Sequence, residues 1–321
     1  MTVFNFSQVW GQTTPGNTMK WVYTEPEQNT FTLAEGQTTI NLAKATGKKV
    51  RCHNLVWYQE LPSWITSPTT PWTNATLLAA MENHITNVVN GYGANCYSWD
   101  VVNEALDDDG TWRSNVFYDT ISAAYVPLAS KYASAAVKSA GGNIKLVYND
   151  YNIEFPDVKT TAAVQLVQMI QAYGVEVDGV GFESHFIVGE TVSQIHLCEL
   201  ENQMLTSIQP NAAAQVEAMA EFTALGLTVY QTELDVRFTS LPPTSAGLAQ
   251  QATDYYNTIE ACMQTKDCAG MTVWDFDDAY SWIPSTFAGQ GHACLLWANL
   301  TIKPAYAAVY QAIEGVDCTF C

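Results

Sequence analysis

Charged side chains are scarce in this sequence, and basic ones are the scarcest. Charged residues make up 14% of the 321 residues, against roughly 25% in an average soluble protein. Thirteen Lys and Arg stand against 32 Asp and Glu, which gives a formal net charge of −19. So acidic a chain is repelled by nucleic acids and by anionic membranes, and neither partner is expected. The polar surface must consist mainly of Thr, Ser, Asn and Gln.

Long apolar runs, linkers and nucleotide-binding fingerprints are also missing. No stretch approaches the roughly 18 uninterrupted apolar residues of a membrane-spanning helix. No segment rich in Gly, Ser or Pro marks a domain boundary, so residues 1–321 are predicted to form a single domain and to act as a monomer. The sequence has no P-loop, no G-x-G-x-x-G after a strand and no G-x-S-x-G, and no cofactor is expected.

Cysteine is present in an even number, and its context is extracellular. Eight cysteines accompany Asn-x-Ser/Thr triplets at Asn5, Asn74 and Asn299, a combination typical of secreted proteins. Cys262 and Cys268 flank a short turn and are predicted to form a disulfide. Cys318 and Cys321 form a C-x-x-C without a second pair, which favours a disulfide or a frayed tail over zinc. No metal is expected.

Short β-branched or aromatic runs alternate with Ala-rich segments, the pattern of βα units around a parallel sheet. Seven runs are predicted as strands: Val9–Thr14, Val50–Trp57, Tyr97–Asn103, Ile144–Asn149, Gly179–His185, Thr228–Glu233 and Gly270–Trp274. The predicted helices are Leu33–Thr46, Ala75–Tyr92, Asn115–Ala140, Lys159–Tyr173, Ala212–Leu225, Gly247–Gln264 and Pro304–Glu314, with Asn74 as an N-cap. The order predicts an α/β fold, a TIM (β/α)8 barrel with one strand fewer than the usual eight.

Polar side chains concentrate where the predicted strands end. In a parallel barrel the C-terminal ends of the strands carry the active site. The third run ends on Asn103-Glu104 and the sixth on Glu233, with Asp235 two residues later, while the fifth ends on His185. Any one of these residues alone is typical of a solvated rim or a structural histidine. Their coincidence on one face predicts an active site.

Two carboxyl groups on facing strands are what glycoside hydrolysis requires, one as acid and the other as nucleophile or base. Glu104 and Glu233 are the candidates, in environments that should separate their pKa values. His185 is predicted to support the nucleophile, with Asp235 behind it, and Asn103 to bind the sugar 2-hydroxyl. Tryptophan rings near the strand ends offer apolar platforms for pyranose faces.

The sequence resembles glycoside hydrolase family 10, the retaining endo-β-1,4-xylanases with a TIM barrel. The resemblance covers nearly the whole chain. It is carried by the segments Thr14–Trp21, His53–Trp57, Leu61–Trp64, Trp99–Ala105, Asn149–Asn152, Gly179–His185, Thr232–Asp235 and Thr272–Trp282. The resemblance implies that Glu104 is the acid/base and Glu233 the nucleophile, supported by His185 and Asp235. It implies a sugar-binding set of Asn17, Lys20, His53, Trp57, Asn103, Trp274 and Trp282.

Five positions depart from the family pattern, and all are implied to lie on the glycone side. They are Gly16 in place of Glu, Tyr58 in place of His, Glu60 and Glu183 in place of Gln, and Asp275 in place of Gly. Sites built around particular hydroxyl groups discriminate strongly. The substituted residues Tyr58, Glu60, Glu183 and Asp275 are therefore predicted to contact a modified sugar.

Three functions remain open at this point. The first is an endo-1,4-β-xylanase with a modified glycone site. The second is a tomatinase-type glycosidase that removes the sugar chain of α-tomatine, since the resemblance extends to such members. The third is a catalytically silent carbohydrate-binding protein, against which the presence of both Glu104 and Glu233 argues. In every case the partner is a polysaccharide or plant glycoside.

Comparison with the family also predicts that a first strand, a helix and a secretion signal would precede Phe4. Only Met1-Thr2-Val3 stand there, so the barrel is predicted to lack its first strand and helix. Unpaired strand edges beside a core invite association. The expectation is a truncated barrel from a secreted, extracellular enzyme.

Overall fold

The protein is described by a computed structural model that covers residues 10–191 and 212–319. Its internal contacts divide the chain into two compact units. The first contains residues 10–150 together with Thr161–Gly181, and the second contains Tyr151–Thr160 and the described residues from Phe182 onward. The predicted strand Val9–Thr14 begins outside the described residues. The Asn5 triplet and the segment before Phe4, to which the prediction of a missing first strand and helix refers, lie entirely outside them.

The first unit alternates strands and helices. Its strands are β1 (Gln12–Thr13), β2 (Lys49–Cys52), β3 (Ser98–Asn103), β4 (Lys145–Asp150) and, up to Gly181, β5 (Gly179–Phe182), which follow one another in this order. The pairs β1–β2, β2–β3 and β3–β4 are parallel. Its helices are α1 (Trp21–Thr24), α2 (Ala34–Ala45), α3 (Ser63–Thr66), α4 (Asn74–Tyr92), α5 (Val116–Ile121), α6 (Tyr125–Ala140) and, from Thr161 onward, α7 (Val158–Ala172).

The second unit repeats the arrangement. Strand β7 (Thr228–Arg237) pairs in parallel with β6 (His185–Ile187) and with β8 (Cys268–Val273). Its helices are α8 (Ala212–Thr223), α9 (Ser245–Gln264), α10 (Ile283–Thr286) and α11 (Pro304–Glu314). Parallel strands separated by helices are the predicted α/β pattern. Within the described ranges, no helix is long and apolar enough to cross a bilayer.

Burial explains why the strands read as continuous apolar runs. All six residues of β3 are buried, as expected for a parallel strand that is covered on both faces. Several helices end at glycine, as predicted: Gly141 after α6 and Gly315 after α11 have left-handed backbone. That conformation is favourable only without a Cβ, and it lets the glycine N–H groups bond to carbonyls of the last turn.

Three local predictions are wrong. Thr73, not Asn74, caps α4, because its hydroxyl accepts from the Thr76 N–H in a reciprocal capping box. The predicted helix Asn115–Ala140 is interrupted between α5 and α6, where Ser122 takes a φ of 71°. The predicted strand Gly179–His185 is broken into β5 and β6, where Ser184 has a φ of 62°. The described residues therefore contain eight strands, where the sequence predicted seven.

The disulfide between Cys262 and Cys268 is confirmed. A second disulfide, which the sequence did not assign, joins Cys52 to Cys96. Cys52 ends β2 and Cys96 lies just before β3, so the pairing of these neighbouring strands brings the two sulfurs together. Cys294 is buried with a free thiol, and Cys318 is disulfide-bonded.

Candidate active site

The carboxyl end of β3 places Asn103 and Glu104 in a buried hydrogen-bond network. Asn103 Oδ1 accepts from Asn149 Nδ2 at 2.7 Å, and Asn103 Nδ2 donates to Glu104 Oε1 at 3.1 Å. Glu104 is 9% exposed, with a φ of 52°. Its N–H donates to the Asn149 carbonyl at the end of β4. Both neighbouring strand ends therefore fix the position of the Glu104 carboxyl, which is what a general acid needs.

Arg113 supports Glu104 from outside the strand, a role that the sequence analysis missed. Its Nε donates to the Glu104 carbonyl at 3.1 Å and a terminal nitrogen donates to the Leu106 carbonyl at 2.8 Å. The guanidinium also pairs with Asp107 at 2.8 Å and lies 4.5 Å from the centre of the Tyr58 ring. Backbone carbonyl acceptors leave no signature in a sequence. The presence of the arginine was therefore the only signal for this role.

His53, at the end of β2, is held by a buried ion pair. Its Nδ1 lies 2.8 Å from Asp100 Oδ2, and Arg51 contacts the same carboxylate at 2.5 Å. All three side chains are at most 4% exposed. Asp100 lies in the segment Trp99–Ala105, but the sequence analysis assigned it no role. Charged residues facing each other inside two apolar strands were the signal that could have identified it.

The other predicted sugar-binding residues of the first unit form a second group. Lys20 Nζ donates to Asn17 Oδ1 at 2.8 Å and lies 4.8 Å from the centre of the Trp57 ring. Trp57 and Tyr58 pack edge to face, with their ring centroids 5.8 Å apart. Glu60 is exposed, with a φ of 48°, and Gly16 is exposed as well.

The second unit places the other predicted carboxylate beside a histidine. Strand β6 begins at His185, which pairs in register with Asp235 on β7. His185 Nδ1 lies 3.1 Å from Asp235 Oδ1, while Nε2 lies 3.6 Å from Glu233 Oε2. Burial opposes the charged form of His185, but the carboxylates of Asp235, Glu233 and Glu183 raise its pKa well above the usual value. A cationic imidazole beside Glu233 favours the ionised form of this carboxyl group.

Trp282 and Asp275 border the same group. Trp282 Nε1 donates to Asp235 Oδ2 at 2.7 Å, and the indole lies 4.9 Å from the His185 ring. Trp274 follows β8, and its N–H donates to the Leu234 carbonyl. Burial and, less strongly, the Asp235 charge raise the pKa of Asp275 to about 6, although the Trp282 N–H bond works against this. Asp275 therefore changes charge in mildly acidic solution.

Glu154 is a buried carboxyl group that the sequence analysis did not select. It is 3% exposed, and its Oε1 accepts from the Ser184 N–H at 2.6 Å. Ser184 is the left-handed residue between Glu183 and His185, so Glu154 holds the break between β5 and β6. Burial raises the pKa of Glu154 to about 7, against the Ser184 hydrogen bond and the Lys159 charge.

We expect Glu154→Gln to change how stability depends on pH. The pKa of Glu154 rises from 4.5 to about 7 on folding, so the folded state favours the neutral acid. The stability contributed is fully present below pH 4.5 and is lost as the pH rises to 7, by about 3 kcal/mol. Gln keeps the acceptor oxygen without titrating. As the pH rises, the free energy of unfolding of the variant should therefore increase relative to that of the wild type by that amount. Urea unfolding at pH 5 and pH 8 measures the difference.

The control is Asp109→Asn, in an exposed turn where bonds from Thr111 lower the carboxyl pKa below its usual value. The charge of Asp109 is constant above pH 5. The difference in free energy of unfolding between Asp109→Asn and the wild type should therefore not depend on pH. If the free energies of unfolding of Glu154→Gln and the wild type differ by a constant amount from pH 5 to pH 8, the buried carboxyl is ionised throughout and the expectation is wrong.

The structure thus brings the predicted residues together in groups. In the first unit these are Asn103 with Glu104, and Asn17 with Lys20 and Trp57. In the second unit, one group contains Glu183, His185, Glu233, Asp235, Asp275 and Trp282. Each unit carries one buried glutamate with its own hydrogen-bonding support. A positioned acid and a supported nucleophile are the groups that hydrolyse a glycosidic bond.

Comparison with known proteins gives consistent matches. The sequence profile of Glycosyl hydrolase family 10 matches residues 3–312. Endo-1,4-beta-xylanase D of Talaromyces funiculosus is 51% identical over 305 residues, 95% of this chain and 69% of that protein. Endo-1,4-beta-xylanase A of Phanerodontia chrysosporium is 44% identical over 307 residues, 96% of this chain and 69% of that protein.

Solved structures give the same result as the sequence matches. The Penicillium canescens endo-1,4-beta-xylanase XylE has a TM-score of 0.90 and 48% identity, covering 98% of this chain and 89% of that chain. A family 10 xylanase from Bispora sp. MEY-1, solved with xylobiose, has a TM-score of 0.87 and 48% identity, covering 96% and 90%. The predicted fold class, an α/β TIM barrel, is confirmed by these matches.

Proposed function

We propose that this chain, which belongs to glycosyl hydrolase family 10, is an endo-1,4-β-xylanase that cleaves within the xylan main chain. Family membership makes it a glycoside hydrolase that retains the anomeric configuration. The observation that carries the proposal is the support of Glu233. His185 Nε2 lies beside this carboxylate, and Asp235 holds the opposite side of the imidazole ring.

In the proposed mechanism, Glu233 attacks the anomeric carbon and Glu104 protonates the leaving oxygen. Glu104 then removes a proton from the water that hydrolyses the glycosyl-enzyme. His185, oriented by Asp235, keeps Glu233 ionised before attack. Asn103, whose amide donates to Glu104 and accepts from Asn149, is placed to bond the sugar 2-hydroxyl.

We also propose that the five departures from the family pattern modify how the glycone sugar is held. Tyr58 is fixed against Trp57 and Arg113, and Asp275 is fixed by the Trp282 N–H. Glu183 adds a carboxylate 3.7 Å from His185 Nε2. Carboxylates accept hydrogen bonds only, whereas an amide also donates. Glu183 therefore selects hydroxyl groups that donate, and ionised Asp275 adds an acceptor where the family has glycine.

Product analysis tests the proposed substrate. Beechwood xylan and α-tomatine are incubated separately with the protein, and the released sugars are separated by chromatography. We expect rapid formation of xylo-oligosaccharides from xylan and no sugar from α-tomatine. Release of the tomatine sugar chain with intact xylan would instead support the saponin activity. No turnover of either substrate or of an aryl β-xyloside would support a silent carbohydrate-binding protein.

The setting of the enzyme belongs to the same proposal. Two described disulfides, Cys52–Cys96 and Cys262–Cys268, fit an oxidising, extracellular location. A family profile that runs from residue 3 to residue 312 supports one catalytic domain across residues 1–321. The proposed partner is a plant polysaccharide.

A further inference from the structure

Three side chains of the second unit converge on one point, and the proposed hydrolysis uses only two of them, His185 and Glu233. Glu183, His185 and Glu233 each direct one ligand-type atom to a common point, and these atoms lie within 4.8 Å of one another. His185 Nε2 is 3.7 Å from Glu183 Oε2 and 3.6 Å from Glu233 Oε2. Both carboxylates are buried, and His185 is 14% exposed.

These separations suit a central ion better than direct hydrogen bonds. An N–H···O bond has a donor–acceptor distance of about 2.7–3.2 Å, so both contacts of Nε2 are too long. Zinc bonds to nitrogen and oxygen are about 2.0–2.2 Å long, which places tetrahedral ligand atoms about 3.3–3.6 Å apart. The two contacts of Nε2, at 3.7 and 3.6 Å, are close to that spacing, and the three ligand atoms together would fill three of four positions.

The imidazole is already oriented as a metal ligand. Metal-binding histidines almost always use the second ring nitrogen to bond a carboxylate or carbonyl, which fixes the tautomer and the ring orientation. Here Nδ1 faces Asp235 at 3.1 Å, and Trp282 donates to the other oxygen of the same carboxylate. Nε2 is thereby directed at the two glutamates.

Ligand chemistry selects the class of ion. One imidazole and two carboxylates suit Zn²⁺ or Cu²⁺, whereas Ca²⁺ needs six to eight oxygens and Mg²⁺ an octahedral, oxygen-rich shell. The two carboxylates also balance the charge of a divalent ion. Glu183 is the decisive ligand, because the neutral amide of a glutamine at this position would supply neither the charge nor a comparable oxygen.

We propose that Glu183, His185 and Glu233 bind one divalent transition-metal ion of the Zn²⁺ class, and that the bound ion inhibits the enzyme. Binding of the ion releases the Nε2 proton of His185 to solvent. The ion then occupies the carboxylate of Glu233 and leaves it unable to attack a sugar. The binding step involves no substrate and stands apart from the proposed xylanase activity, whereas the inhibition rests on that proposed function. No metal was expected from the sequence. Glu183 lies just before β6, His185 at its start and Glu233 on β7, so no ligand-spacing motif connects the three.

Zn²⁺ binding by the full chain tests the proposal. Isothermal titration with ZnCl₂ at pH 8 should show one site per chain, and Cu²⁺ bound in its place should give an electron paramagnetic resonance spectrum coupled to one imidazole nitrogen. Glu183→Gln, which keeps the shape of the side chain, should weaken Zn²⁺ binding at least tenfold. Asp109→Asn removes one exposed carboxylate elsewhere and should leave the affinity unchanged.

Among the other histidine–carboxylate pairs in the described residues, those of His53 and His84 are buried, so the more exposed His292, 3.1 Å from Asp278, is the competing site. Loss of the site in His292→Asn, or unchanged affinity in Glu183→Gln, would place the ion elsewhere and overturn the proposal, as would the absence of Zn²⁺ binding by the wild type. A thermal melt confirms folding. If Glu183→Gln does not fold, Glu233→Gln removes another ligand and must weaken binding by the same margin.

Discussion

Replacing Glu233 by alanine is expected to lower kcat/KM on xylan by a factor on the order of 10⁴ or more. Without the carboxylate, no glycosyl-enzyme forms, while the buried contacts of Asp235 with His185 and Trp282 preserve the surrounding structure. Release of reducing sugar measures the loss. Circular dichroism must show an unchanged fold.

Sodium azide separates the two carboxylates by the stereochemistry of the product. In Glu233→Ala, azide can attack from the vacated side and give an inverted, α-configured glycosyl azide. In Glu104→Ala, an activated aryl glycoside still forms the glycosyl-enzyme, because its leaving group needs no acid, and azide then gives a β-configured product. Nuclear magnetic resonance of the products decides. An α-azide from Glu104→Ala and a β-azide from Glu233→Ala would exchange the two assignments.

Much of the fold is predictable because it depends on local signals. Buried parallel strands read as apolar runs, and the glycines after α6 and α11 mark the helix ends. The break between β5 and β6 has no such signal. Ser184 carries a positive φ that serine rarely adopts, and the carboxylate that holds its N–H is Glu154, thirty residues earlier. A contact at that separation is fixed by the fold.

The candidate active-site residues also differ in how far the sequence predicts them. Glu104, Glu233 and His185 could be selected because catalytic groups follow the ends of parallel strands. Asp100 and Arg113 act through buried partners on other segments, Arg51 and His53 in one case and the Glu104 carbonyl in the other. Both residues hold other groups in place. A charged residue within an apolar strand was a signal for Asp100, whereas the sequence around Arg113 offers no such signal.

Asp100→Asn should lower the free energy of unfolding by about 3–5 kcal/mol. The Asp100 side chain is fully buried, and its carboxylate contacts both Arg51, which is 4% exposed, and His53. Asparagine keeps the shape but removes the negative charge that the buried Arg51 cation contacts at 2.5 Å, and the loss of that attraction is the source of the destabilisation. Urea denaturation measures it. Exposed Lys266 contacts Asp267 at 3.8 Å, and Lys266→Met serves as the control, with no measurable loss expected.

A double-mutant cycle identifies the cause. If the buried cation is responsible, Arg51→Met combined with Asp100→Asn should cost about 2 kcal/mol less than the sum of the single changes. Additive losses would mean that the ion pair contributes no coupling and that packing explains the effect. Because Asp100 also holds His53 Nδ1 at 2.8 Å, Asp100→Asn should raise KM for xylo-oligosaccharides more than it lowers kcat. Arg51→Met leaves this hydrogen bond in place and should change KM less, which separates the positioning of His53 from the loss of stability.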